Sequence, residues 1–253
     1  MNKNCIIMFA IEDSNSKFDH NSYYNITKQA WTKYCDKHNI DFLFIDKLLE
    51  NIPHPKWNKH CVFEYTKDKY EKIGIVDFDT MPNWQSPNFF DLYDDEFCGV
   101  VDNESITWLD NSVNLYRNRF EELNVDIELG EYINSGVLFF TKKHKFVFEE
   151  VLKTFSDNKE RFDNWDVSNT EDDQTILNLI LKKLNVHKKY FDVRFNTMRL
   201  IKNDWLNYNW QLDEDKTPFF IKYSYIWHFT GCSIQERTKL IEDIWKQTNQ
   251  YYG

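Results

Sequence analysis

The run Cys5-Ile-Ile-Met-Phe-Ala-Ile11 is apolar at every position and stands between polar residues. A strand with one wet face alternates apolar with polar, so an unbroken run marks a strand covered on both faces, in a sheet with helices on either side. Later segments repeat the theme. After a polar stretch, Ser22 is placed to cap a helix in which Ile26, Ala30 and Tyr34 recur every four residues, and Asp41 to Ile45 reads as a second strand. Trp57 to Lys69 reads as a second helix, with Val62 and Tyr65 three apart, and Lys72-Ile-Gly-Ile-Val-Asp77 as a third strand. Strand alternating with helix at crossover length predicts a parallel α/β sheet.

Phe97 to Val101 and Ile133 to Phe140 are expected as further strands, separated by a segment around Trp108 to Leu123 with helical spacing at its end. Helices are expected from His144 to Phe155, from Asp172 to Leu184 and from Ser233 to Gln247. In the middle one Ile176, Leu177, Ile180, Leu181 and Leu184 share a face, and Thr170-Glu-Asp-Asp173 supplies the acidic start that a helix N-terminus favours. Phe219 to Phe229 reads as a late strand. No repeat, low-complexity tract or linker composition interrupts the 253 residues, so 1–253 is expected to be a single domain.

Composition removes several functions. With 31 basic against 41 acidic side chains the net charge is −10, which argues against a nucleic acid held by its phosphates. No two of the six glycines stand at the spacing of a dinucleotide fingerprint or a P-loop, so a nucleotide would be held in another way. The cysteines at 5, 35, 61, 98 and 232 include no Cys-x-x-Cys pair, as expected of free thiols in a reducing compartment. The N-terminal apolar run is too short to span a bilayer, and Glu12-Asp13 follows it where a signal peptide would carry small residues. No integral membrane segment and a cytoplasmic location are therefore expected.

Asp77-Phe78-Asp79 ends the third strand, and in extended chain its two carboxylates point to one side. Ligands of open α/β sheets lie beyond the carboxyl ends of strands, so the pair suits a divalent cation that in turn holds phosphate oxygens. An acidic turn after a strand has the same appearance, and Asp213-Glu214-Asp215 repeats the spacing in a polar stretch. Context comes from Asn134-Ser-Gly136 in the apolar strand expected there, Asp172-Asp-Gln174 opening a helix, and Trp227-His-Phe-Thr-Gly231 ending the late strand.

In this order the motifs resemble those of retaining glycosyltransferases of the GT-A fold, notably glycosyltransferase family eight and its galactosyl- and xylosyltransferase relatives. The resemblance extends from the first strand to about Cys232. It implies one Rossmann-like GT-A domain of α/β class with a central, mostly parallel mixed sheet flanked by helices, its N-terminal part binding the nucleotide and its C-terminal part facing the acceptor. It implies transfer of a sugar from a nucleotide-diphosphate sugar to a carbohydrate or other hydroxyl acceptor, with retention of configuration. A UDP-sugar is expected ahead of a GDP-sugar, although no residue in the sequence selects the base.

The resemblance also distributes roles. Asp77, Asp79 and His228 match the ligands of Mn2+ (or Mg2+), and carboxylates with a neutral imidazole are a fitting set for such an ion; a histidine on an aromatic strand otherwise reads as a core residue. Asn134, Ser135 and Gly136 match a segment where a glycine lets the donor sugar approach the backbone, the other reading being a strand glycine at a bulge. Lys59, in Trp57-x-Lys59, matches a lysine that reaches the donor, or is a solvated helix lysine. Ala10 and Ile11 occupy the place of nucleobase contact, and Phe78 and Gly231 belong to the donor-binding motifs. Asp173 and Gln174 match the catalytic Asp-Gln pair of the sugar pocket; helix capping is the other reading of Asp173, and Asp172 could cap instead. The family's diphosphate-binding lysine is missing after Gly231, where Cys232-Ser-Ile-Gln-Glu-Arg237 stands in the sequence and Arg237 or Lys239 is placed to substitute.

Two other functions fit parts of the pattern. A phosphohydrolase of the haloacid dehalogenase type also places Asp-x-Asp after an apolar strand, but Asp77-Phe-Asp-Thr-Met81 lacks the threonine two residues after the second Asp and follows the third strand rather than the first. A non-enzymatic carbohydrate-binding protein would use exposed Trp and Tyr and leave the motifs without a role.

Overall fold

The computed structural model describes residues 3–11, 21–49, 52, 55–102, 106–163, 172–198 and 219–253. Asp213-Glu214-Asp215, Thr170 and Glu171 lie outside these. The strands among the described residues are β1 (Asn4–Phe9), β2 (Asp41–Ile45), β3 (Lys72–Asp77), β4 (Thr80–Pro82), β5 (Phe97–Val100), β6 (Val137–Thr141), β7 (Lys188–Phe191) and β8 (Ile226–His228). Six form one sheet in the order β2-β1-β3-β6-β5-β7, and β4 pairs with β8 in a second, small one. β1 runs parallel to β2 and β3, and β5 parallel to β7, while β6 runs antiparallel to β3 and β5. The sheet is thus mostly parallel, as the alternation predicts, and mixed, as the resemblance implies, its one reversal falling at β6.

The continuous apolar run of β1 serves two cores. Cys5, Ile7, Phe9 and Ile11 face one apolar layer and Ile6, Met8 and Ala10 the other, the two-residue period of a strand. The first layer is closed by the helices Lys145–Asp157 and Asp172–Lys183, through Val147, Phe148, Ile176 and Ile180. The second is closed by α1 (Asn21–His38) and the final helix Ile234–Tyr252, through Ala30, Tyr34, Ile241 and Ile244. Each of the buried Val, Ile and Phe side chains among these contributes about 1.5–3 kcal/mol by leaving water. A one-residue slip of β1 would exchange the two sets, so its register is fixed from both faces.

Four expectations are corrected. The helix α1 already runs from Asn21, so Ser22 lies inside it and is not its cap. Trp57 to Lys69 is not one helix: α2 (Pro55–Asn58), a 3-10 turn Lys59–Cys61 and α3 (Val62–Thr66) succeed one another, and Lys67 and Asp68 end the segment in the left-handed conformation at φ 49° and 54°. Asn134-Ser-Gly136 is a turn leading into β6, because the Asn134 side-chain carbonyl accepts the Gly136 N–H at 2.9 Å and replaces a ladder bond with a local one. Phe219 to Phe229 divides into a short helix, Phe219–Tyr223, and β8. An aromatic-rich run has the same composition in either state, and only Ile226 to His228 finds a partner strand.

The five cysteines are free thiols. Burial pushes Cys61 and Cys98 up to about 12, which keeps them protonated and inert. Among the described residues no helix is long and apolar enough to cross a membrane.

Candidate metal and donor site

Asp77 is the last residue of β3, and its N–H donates to Gly136 O at 2.8 Å, tying the strand's carboxyl end to the turn before β6. Asp79 comes two residues later and directly precedes β4. Antiparallel pairing sets Thr80 opposite His228, and the Phe229 N–H donates to Asp79 O at 2.9 Å. The small second sheet thus delivers a histidine from late in the chain to the two carboxylates.

One ligand atom each from Asp77, Asp79 and His228 lies within 4.8 Å of the others, and Asp79 Oδ1 is 3.4 Å from His228 Nε2. His228 Nδ1 is 2.9 Å from Asn196 Oδ1. That oxygen can only accept, so Nδ1 carries a proton, which leaves Nε2, the nitrogen facing Asp79, as the one whose lone pair can go to a metal ion, the arrangement usual for a metal-ligating imidazole. The chain of bonds continues inward: Asn196 Nδ2 donates to Asn134 Oδ1 at 2.9 Å, and Asn134 Nδ2 to Asp102 Oδ2 at 3.0 Å.

Space agrees with chemistry. A Cβ on Gly136 would strike His228 Cε1 and come within 2.9 Å of Asp77 Oδ2, so glycine is what leaves a hollow between the ligands. Two carboxylates and an oriented imidazole around such a hollow fit a manganese- or magnesium-like ion. Gly136→Ala is expected to weaken Mn2+ binding at least about tenfold, with a stability loss of about 1–3 kcal/mol from overpacking. Calorimetric titration of the folded variant checks this; unchanged Mn2+ affinity would place the ion elsewhere.

The two carboxylates are unequal. Burial raises the Asp77 pKa above its ordinary value, Asp79 adds to the effect, and Lys59 and His228 offset it only in part. Burial works against the Asp79 carboxylate too, but His228 and Arg237 outweigh it and hold its pKa at about 2. Two carboxyls sharing one hollow divide in this way.

A second cluster adjoins the first. Lys59 Nζ lies 2.8 Å from Asp173 Oδ2 and 3.9 Å from Asp77 Oδ1, and donates to Ser135 Oγ at 2.9 Å. His60 Nε2 is 3.3 Å from the same Asp173 oxygen. Burial opposes the Asp173 carboxylate, yet Lys59 and His60 together hold its pKa well below the ordinary range. With side chains 11% and 5% exposed, Lys59 is not a solvated helix lysine and Asp173 is not a surface cap. Gln174 accepts from the Ser135 N–H at 2.7 Å and donates to Asp102 Oδ2 at 3.0 Å, which fixes the turn that carries Gly136.

A cavity of about 140 Å³ opens beside these clusters, lined by Phe9, Ile11, Lys59, Asp77 and Phe78. The Phe78 ring packs edge-on against Tyr24 at 5.2 Å. Ala10 lies deeper, its N–H donating to Ile45 O at 2.8 Å within the sheet. Gly231, exposed and at φ 67°, forms the turn between β8 and the final helix, in a conformation that favours glycine. Of the two basic residues in place of the missing lysine, Lys239 is exposed, and Arg237 reaches Asp79 Oδ2 with Nη2 at 3.3 Å. Larger hollows, about 310 Å³ beside His60 and about 410 Å³ beside β7, include none of the three candidate metal ligands.

His60, Asp102 and Asn196 escaped the sequence reading. Asp102 had a signal, an aspartate directly after an apolar strand, the logic that marked Asp77. His60 and Asn196 had none, since only the folded chain brings them to Asp173 and His228.

No protein-family profile matches the chain, and no curated protein matches it. Solved structures do. A glycosyltransferase involved in the glycosylation of the major capsid of PBCV-1 aligns with a TM-score of 0.58 at 16% identity, over 94% of this chain and 99% of that one. The WbbM bifunctional glycosyltransferase aligns at 0.54 and 13% identity, over 97% of this chain and 52% of its own. The glycosyltransferase GlyE of Streptococcus pneumoniae TIGR4 aligns at 0.54 and 10% identity, over 100% of this chain and 63% of its own. This chain therefore spans the full length of the first but only about half to two thirds of the other two. The mixed α/β fold assembled above is the fold of these glycosyltransferases, the GT-A fold that the motifs predict.

Proposed function

We propose that this chain is a metal-dependent glycosyltransferase, a single-domain cytoplasmic enzyme that moves a sugar from a nucleotide-diphosphate sugar to a hydroxyl acceptor with retention of configuration. The observation that carries the reading is the hollow opposite Gly136, where Asp77, Asp79 and His228 converge at the carboxyl edge of the sheet. The glycosyltransferase fold supports it independently.

Asp77, Asp79 and His228 would hold Mn2+ or Mg2+, with Asn196 orienting the imidazole. The bound ion would supply Lewis-acid stabilisation of the charge that develops on the departing diphosphate. The cavity along Phe9, Ile11 and Phe78 would take the nucleoside, uridine ahead of guanosine, with Ala10 supporting its wall. The donor sugar would lie against the Asn134-Ser135-Gly136 turn, beside Lys59, with Asp173 and Gln174 bordering it and Gly231 shaping the loop over the phosphates. Retention is read as front-face attack, the departing phosphate oxygen taking the proton of the acceptor hydroxyl.

Incubation with a panel of UDP- and GDP-sugars and Mn2+ is expected to release nucleoside diphosphate, by transfer to an acceptor or to water, and chelation of the metal to stop it. The anomeric coupling constant of the product, read by NMR, tests retention. No nucleotide release and no Mn2+-dependent nucleotide binding with any donor would overturn the reading.

A further inference from the structure

Arg237 sits on the first turn of the final helix, where its guanidinium reaches three partners. Its Nε donates to Phe229 O at 3.0 Å, which anchors the base of the guanidinium at the end of β8. The two Nη groups extend beyond that anchor, Nη1 to Tyr23 OH at 3.3 Å and Nη2 to Asp79 Oδ2 at 3.3 Å. Asp79 is thus shared: Oδ1 faces His228 and Oδ2 faces Arg237. A cation seated among Asp77, Asp79 and His228 has to compete for the carboxylate that Arg237 holds.

Charge balance decides that competition. Lys59 and Asp173 neutralise one another, and His228 is neutral when it ligates a metal, which leaves Asp77, Asp79 and Arg237 with one net negative charge. A divalent cation alone would turn that into one net positive charge in a partly desolvated site. A diphosphate arriving with it restores a negative balance. Without Arg237 the same site would be neutral with the cation alone, and doubly negative with cation and diphosphate ester together. Arg237 therefore opposes the first ligand and favours the second, and like charges held a few ångströms apart weigh heavily in such surroundings.

We infer that Arg237 couples the cation to the diphosphate, holding Asp79 against cation binding by itself and turning to the diphosphate once nucleotide arrives, so that each ligand strengthens the other. The inference rests on the glycosyltransferase reading for the identity of the ligands. It makes Arg237 a linkage between two sites in the thermodynamic sense, with one coupling constant felt equally by both.

The test separates this role from a structural one by the sign of its effects. Mn2+ is titrated against wild type, Arg237→Gln and Arg237→Lys without nucleotide, with the signal of free Mn2+ read by electron paramagnetic resonance. UDP is then titrated at saturating Mn2+ by calorimetry. Arg237→Gln is expected to bind Mn2+ alone at least about fivefold more tightly and UDP about tenfold more weakly, with Arg237→Lys between it and wild type in both. A merely structural arginine would weaken both ligands together, and that outcome, or unchanged affinity for either, overturns the inference while leaving the glycosyltransferase reading intact. Wild-type protein that binds neither Mn2+ nor UDP overturns both. Thermal melts of the variants confirm that each is folded.

Discussion

Asp79→Asn is expected to lower metal-dependent turnover at least about a thousandfold, equivalent to about 4 kcal/mol of transition-state stabilisation. Asparagine keeps the shape of the side chain and a carbonyl oxygen toward His228, so the packing of β4 on β8 survives. It removes the negative charge that a hard cation requires from its ligands. Stability should change little, because two effects oppose one another. Arg237 loses the carboxylate 3.3 Å away, and Asp77 loses the neighbour that raises its pKa. Turnover at saturating Mn2+, measured beside a thermal melt, checks both halves. Near-normal turnover would remove Asp79 from the cation's ligands.

The second large effect concerns stability. Lys59→Met keeps the length of the stem and deletes the ammonium that bridges Asp173, Ser135 and Asp77. Leaving a buried charge without its main partner costs about 3–5 kcal/mol. The loss should depend on pH in a definite direction. The Asp173 carboxyl is held below its ordinary value, so it contributes stability fully above the unfolded carboxylate pKa, and that contribution is lost as pH falls toward the depressed value. The gap between wild type and variant is therefore widest near neutrality and narrows below about pH 4. Denaturant unfolding at pH 7 and at pH 3.5 measures it. A constant gap would assign the effect to packing of the lysine stem rather than to its charge.

What could be read from the sequence was what a single segment encodes. The β1 run announced a strand covered on both faces, and the sheet places Ile7 and Met8 in opposite cores. Asp77 and Asp79 were marked by their position after an apolar strand, and they meet His228 in space. What remained hidden depends on pairing between distant segments. β4 is three residues long and includes a proline, so nothing local marks it as a strand until β8 lies beside it. β7 reads Lys-Lys-Tyr-Phe, a charged strand at the sheet's edge where hydrophobic alternation is not required. Lys59 and Asp173 each had a bland local reading, solvated lysine and helix cap, and only the folded chain, which buries both and sets them 2.8 Å apart, excludes the two. Arg237 was found through a departure: the lysine expected after Gly231 was absent, and the next arginine proved to be the one at the carboxylates.

The pairing of β4 with β8 joins the ends of a loop of about 150 residues. Closing a loop of that length carries an entropic cost that further lengthening barely changes, and the described elements between its ends, from β5 to β7, offset it by packing in the main sheet. A ligand gripped by Asp77, Asp79 and His228 would hold both ends of the loop at once. Its binding energy would then act on closure of the chain, adding about 2.7 kcal/mol at a hundred times its dissociation constant. Opening of the C-terminal segment and loss of the ligand would become one equilibrium, and amide exchange along β8 and the helix after it would slow as donor and cation fill the site.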